Sequence, residues 1–150
     1  MSTKANGLEY SIGFNMSVTY RKLSNVLQQR LKEYEITTEQ WSVLYQIANT
    51  DGLIQKEIAE RSAKDKPTTT RILDQLEGKG CVYKKMGDTD RRSFLVYITD
   101  KGRSLIEKTI PIEQQVITEV KACMSDDEYS LLMELLSRIN NHMSELTDRE

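Results

Sequence analysis

Between Gln55 and Thr99 the sequence passes through helix, turn, helix, strand, loop and strand in quick succession, and this order restricts the fold more than any other feature. Gln55 to Arg61 reads as a short helix with Ile58 and Ala59 inward. Lys64-Asp65-Lys66-Pro67 then gives a turn and a proline near a helix start, where its missing N–H costs nothing. In the next helix, about Pro67 to Lys79, Thr69, Ile72, Leu73 and Leu76 fall at i, i+3, i+4 and i+7. They form the buried stripe and turn Thr68, Arg71 and Gln75 outward. Gly80 stands where a left-handed residue closes a helix. Cys81 to Met86 and Ser93 to Thr99 have the valine and aromatic content of strands, and the polar segment Gly87-Asp88-Thr89-Asp90-Arg91-Arg92 joins them as a hairpin loop.

Helices are expected on both sides. Leu8 to about Tyr34 reads as one long amphipathic helix. Thr37 and Gln40 form a capping box for a second helix through Trp41, Leu44 and Ile47, ended by Asp51-Gly52, after which Leu53-Ile54 is a short extended piece. Thr99 or Asp100 caps a helix to about Ala122 with Pro111 as a kink position, and a Ser125–Glu128 capping box opens a last helix striped with Leu131, Leu132, Leu135, Leu136 and Leu146. No repeat, low-complexity stretch or long linker divides the chain, so 1–150 is read as one domain.

The 150 residues are 38% hydrophobic, enough for one core. No run reaches the roughly 18 apolar residues of a membrane span, and MSTKANGLEY lacks the order of a secretory signal, so a cytoplasmic protein is expected. Cys81 and Cys123 lie far apart without a CxxC or a partner histidine, which predicts two buried, reduced thiols, no metal and no cofactor. The single histidine, His142, lies among Asn140, Asn141 and Ser144, which is not the convergent set that acid/base or nucleophilic catalysis requires, so an enzyme is not expected. Net charge is −2, but it is unevenly spread. Residues 1–52 hold 5 basic and 5 acidic side chains, 53–92 hold 10 and 7, and 93–150 hold 6 and 11. A basic middle between neutral and acidic ends suits a small DNA-reading unit set in a scaffold.

The order of elements is that of a winged helix-turn-helix, in which the second helix fits a major groove and the wing reaches a neighbouring minor groove. The expected fold is therefore mostly α with a small β-hairpin wing, residues 37–100 forming the winged lobe and 8–34 with 101–147 a helical dimerisation lobe. The segments Leu53 to Arg61, Lys66 to Glu77, Asp90-Arg91-Arg92 and Val96 to Gly102 closely resemble the MarR family of transcription regulators. That resemblance implies that Pro67, Thr68, Thr70 and Arg71 lie at the DNA-facing start of the recognition helix, with Lys66 and Gln75 as companions. It implies also that Asp90 holds Arg92 for the minor groove while Arg91 faces phosphate. Two positions depart from the family pattern. Ile54 stands where a Thr or Ser cap is usual, and Thr69 brings a hydroxyl into the apolar stripe that must find a backbone acceptor.

The apolar stripes of the first and last two helices exceed what one small winged lobe covers, and the resemblance implies that they interdigitate in a homodimer. Double-stranded DNA with two-fold related half-sites is the expected partner, and a repressor released by a small aromatic or anionic effector the expected function. Tyr10, Phe14, Trp41 and Tyr45 are the candidates to line the effector pocket, plain core being the competing role. The alternative function is a winged-helix module that binds another protein rather than DNA.

Overall fold

A computed structural model describes residues 7–87 and 94–148. Six α-helices are described in it: α1 (Ile12–Leu31), α2 (Thr38–Asn49), α3 (Gln55–Ser62), α4 (Lys66–Gly78), α5 (Asp100–Lys121) and α6 (Asp126–Asp148). Three strands, β1 (Leu53–Ile54), β2 (Val82–Met86) and β3 (Phe94–Ile98), form an antiparallel sheet in the order β1-β3-β2. The expected hairpin is thus widened by Leu53-Ile54, which pairs with Val96 and Leu95. The chain divides into two compact units, Met1–Glu113 and Gln114–Glu150.

The first unit holds the winged helix-turn-helix. The predicted helix from Leu8 to Tyr34 is broken in three: a 3-10 turn Leu8–Tyr10, then α1, then a 3-10 turn Lys32–Tyr34. Ser11 adopts an extended conformation between the first two, and the Asn15 amide bridges the break by donating to the carbonyls of Glu9 and Ser11. Further on, the capping box of α2 forms as expected. The Gln40 N–H donates to Thr37 Oγ1 at 3.1 Å, and the Thr37 N–H donates to Gln40 Oε1 at 3.2 Å. At α3, Ile54 supplies no side-chain cap, and half of a box remains, the Ile54 N–H donating to Glu57 Oε1 at 3.2 Å.

The core gathers Val43, Leu44 and Ile47 of α2, Ile58 of α3, Ile72, Leu73 and Leu76 of α4, and Val82, Val96 and Ile98 of the sheet. Two glycines allow the sheet to close under it. Gly80, at φ +76°, ends α4 in the left-handed conformation, and the Cys81 N–H returns to the Leu76 carbonyl at 3.0 Å. Gly102, in the first turn of α5, lies so near Cys81 that a Cβ there would stand 2.2 Å from its carbonyl oxygen. The Gly102 N–H donates to Thr99 Oγ1, so of the two expected caps Thr99 is the one used. Trp41 belongs to this core. Its indole N–H donates to Thr109 Oγ1 at 2.7 Å, and that buried hydroxyl donates to the Leu105 carbonyl.

The second unit contains the end of α5, a turn and α6. Ser125 and Glu128 make the predicted capping box, and bonds from the Ser125 backbone N–H and hydroxyl hold the Glu128 carboxyl below its ordinary range. Among its described residues α6 has no buried side chain. The expectation of two buried thiols holds for Cys81, which burial pushes above the ordinary thiol range, but not for Cys123. Cys123 is exposed because it sits in the turn after α5, where its thiol donates to the Val120 carbonyl.

Replacing Thr109 with valine should expose the cost of the Trp41 bond, because the indole N–H would stay buried without an acceptor. A loss of about 1–3 kcal/mol is expected in urea unfolding at fixed protein concentration, with Thr109→Ser recovering most of it. A valine variant as stable as the parent would show that the bond contributes nothing.

Candidate nucleic-acid interface

The start of α4 is built by Asp65. Its Oδ1 accepts from the Thr68 N–H at 2.8 Å, and the Thr68 backbone and hydroxyl together lower its carboxyl below the usual range. The next position but one, Pro67, has no N–H to satisfy. The predicted inner stripe is buried throughout: Thr69, Ile72, Leu73 and Leu76 all have 0% exposure. Thr69 is tolerated there because its hydroxyl donates to the Asp65 carbonyl at 2.8 Å, the acceptor that its position in the stripe demanded.

The opposite side carries the predicted contact residues of the helix. Lys66, Pro67, Thr70, Arg71 and Gln75 are exposed and Thr68 is half-buried. The structure brings these six onto one helix with a shared outer side, but several are already engaged. Thr70 donates to the Lys66 carbonyl at 3.0 Å and accepts from the Gln55 amide at the start of α3. Arg71 pairs with Glu39 at 3.2 Å, both about half exposed. Gln75 Oε1 accepts from Gln40 Nε2 at 3.0 Å. One turn on, the Lys79 ammonium donates to Gln40 Oε1 at 2.9 Å and to the Glu35 carbonyl. The row Arg71, Gln75, Lys79 is therefore held by the chain leading into α2 and by its first turn.

Sequence reasoning found Gln40 as a cap but not as the partner of Gln75 and Lys79, and it missed Glu39 and Gln55. These contacts join residues 15 to 39 positions apart, for which no local spacing rule exists. It also missed Lys84 on β2, whose ammonium donates to Asp74 at 2.8 Å and lies 3.7 Å from Glu77, tying the sheet to α4. The bond to Asp74 outweighs partial burial and pushes the Lys84 pKa up, which keeps it charged. The predicted wing residues Asp90, Arg91 and Arg92 lie outside the described residues, while Met86 pairs with Phe94 at the last described rung of the hairpin.

Of the aromatic candidates, Trp41 and Tyr45 stack at 5.2 Å between ring centroids. Tyr10 and Phe14 are exposed, on the first 3-10 turn and on α1, and among the described residues no ring contact joins them to that pair. Among the described residues no group of three or more His, Cys, Asp or Glu is placed to hold a metal ion, and no helix is long and apolar enough to cross a membrane. His142 is exposed, with Nδ1 4.0 Å from the Glu145 carboxylate.

A family model described as the MarR family matches residues 36–94. Among solved structures, a mutant MarR from E. coli complexed with operator DNA is 26% identical, with a TM-score of 0.80 over 85% of this chain and 92% of that one. The transcriptional regulator SlyA is 25% identical, with a TM-score of 0.84 over 90% and 95%. MepR from S. aureus, in a DNA complex, is 22% identical with a TM-score of 0.83 over 88% and 98%, a likeness of fold. Residues 36–94 thus match the MarR family, and the inner stripe of α4, the sheet behind it and the helices around it make the chain similar in fold to solved winged-helix regulators of that family.

Proposed function

We propose that this regulator binds double-stranded DNA as a homodimer, laying α4 of each subunit in a major groove and residues 90–92 along the adjoining minor groove. The observation that carries this reading is the two-sidedness of α4: an inner stripe with no exposure behind an outer side of exposed, mostly hydrogen-bonding residues. Lys66, Pro67, Thr68, Thr70, Arg71 and Gln75 are the proposed contacts of the helix. In the wing, Asp90 is proposed to hold Arg92, which enters the minor groove, and Arg91 to face phosphate. That the similar E. coli MarR is complexed with operator DNA supports DNA as the partner.

The proposed dimer surface lies in residues 8–34 and 101–147, outside a winged lobe of 37–100. Leu8, Ile12 and Tyr20 are 64%, 59% and 65% exposed, and Leu131 on α6 is 51% exposed. So many large apolar side chains left in water along helical faces favour burial against a second copy. We further propose that the protein acts as a repressor released by a small aromatic or anionic effector. Tyr10 and Phe14 would offer exposed ring faces to it. Trp41 would offer only its ring, because its N–H is committed to Thr109.

Sedimentation equilibrium should give twice 17.3 kDa at micromolar concentration, and a folded species at the single-chain mass would end the dimer proposal. DNA binding is tested by titrating a duplex selected from a random library at several salt concentrations. Arg92→Ala should weaken binding by about 1–3 kcal/mol per subunit and lower the slope of log affinity against log salt by about one unit per subunit. Asp90→Ala removes a negative charge, yet it should weaken binding too, since the freed arginine has more conformational entropy to lose. If Asp90→Ala strengthens binding at fixed salt, the wing does not work in this way.

A further inference from the structure

Gln40 is only 5% exposed, and both ends of its side-chain amide are used. Its Oε1 accepts from the Thr37 backbone N–H at 3.2 Å and from the Lys79 ammonium at 2.9 Å. Both of those groups only donate, so the atom facing them must be oxygen, and turning the amide over would set donors against donors in a buried place. Gln40 Nε2 is therefore aimed at Gln75, 3.0 Å away, and the atom it meets there has to be the acceptor, Oε1. Gln75 is itself exposed, and among the described residues nothing accepts from its Nε2. A backbone N–H and an ammonium thus set, through one buried amide, which end of an exposed amide is free.

We infer that Gln40, without touching DNA, is a positioning residue for specificity: it fixes Gln75 as a hydrogen-bond donor toward the major groove. This rests on the DNA-binding reading above and deepens it. An unconstrained glutamine reads adenine with both ends of its amide, donating to N7 and accepting from the N6 amino group. With its oxygen turned inward and one of its two lone pairs taken by Gln40, Gln75 turns its Nε2 donors to the groove and offers that amino group a poorer acceptor than a free glutamine does. Guanine presents N7 and O6, both acceptors, and thymine presents O4, so these edges match a donor and the amino edges of adenine and cytosine do not. The base pair opposite Gln75 is therefore selected for guanine or thymine on the strand it faces.

The test is Gln40→Glu. A carboxylate keeps the bonds from Thr37 and Lys79 and serves the capping box as well as glutamine does. Its second oxygen accepts instead of donating, so the Gln75 amide must turn, giving its N–H inward and its oxygen to the groove. Duplexes are first selected from a random library with the parent protein, and the base pair assigned to Gln75 is the one whose preference disappears in Gln75→Leu. At that pair the parent should favour guanine or thymine by about tenfold, and Gln40→Glu should move the preference to adenine or cytosine by a similar factor. In the Gln75→Leu background Gln40→Glu should change nothing there. Should Gln40→Glu not fold, Gln75→Glu serves, since it keeps an acceptor for Gln40 but presents oxygen outward and should lose the guanine or thymine preference. A parent that prefers adenine at that pair, a Gln40→Glu or Gln75→Glu protein with the parent's preference, or a Gln75→Leu protein whose preferences all persist overturns the inference while DNA binding stands. A parent that selects no duplex at all overturns the DNA-binding reading and this inference with it.

Discussion

The burial of one side of α4 is the constraint on which the rest depends. Ile72, Leu73 and Leu76 are wholly inside, in one core with Val43, Leu44 and Ile47 of α2, and each such side chain contributes about 1.5–3 kcal/mol by leaving water. Three anchors within two turns fix the rotation of a helix about its axis, since any other rotation would bring polar neighbours into the core. Once that rotation is set, Arg71, Gln75 and Lys79, four residues apart, must lie in one row, and the row faces the start of α2. The polar contacts of the outer side are thus consequences of apolar packing on the inner side.

What was legible in the sequence was whatever depends on neighbours in the chain. The Thr37–Gln40 and Ser125–Glu128 boxes, the stripe of α4 and the left-handed Gly80 all follow from spacings of a few residues, and all are present. The hydroxyl of Thr69 posed a local question, and its answer, the Asp65 carbonyl, lies one turn back. The break at Ser11 was not legible, because the apolar period runs across it and only the side chain of Asn15 marks it. Nor was the pairing of β1 with β3, the bond from Trp41 to Thr109, or the hold of Glu39 and Gln40 on the recognition row, since each joins segments that meet only after folding. At the candidate site, then, sequence supplied which residues face outward, and the fold supplied what holds them.

What holds Arg71 bears on how attraction to DNA can arise. An ion pair as exposed as Arg71 with Glu39 is worth about 0.2–1 kcal/mol, too little to keep a guanidinium from a phosphate that offers two acceptor oxygens. The pair restricts the arginine without locking it. Helix α4 has little to offer phosphate at its own N-terminus, because the Asp65 carboxylate already occupies the Thr68 N–H and Pro67 has none to give, which leaves the Lys66 N–H of its first three positions. Attraction must come from side chains, and residues 53–92 carry 10 basic against 7 acidic ones in a chain whose net charge is −2. Charge interactions are screened over about 8 Å at physiological salt, so a phosphate at the face of α4 responds to the charges nearest it far more than to the net charge of the chain. Under the proposed DNA-binding function, a chain of this charge gains little long-range steering toward nucleic acid, and its hold on a site has to come from contacts made at close range, which are also the contacts that can tell one sequence from another.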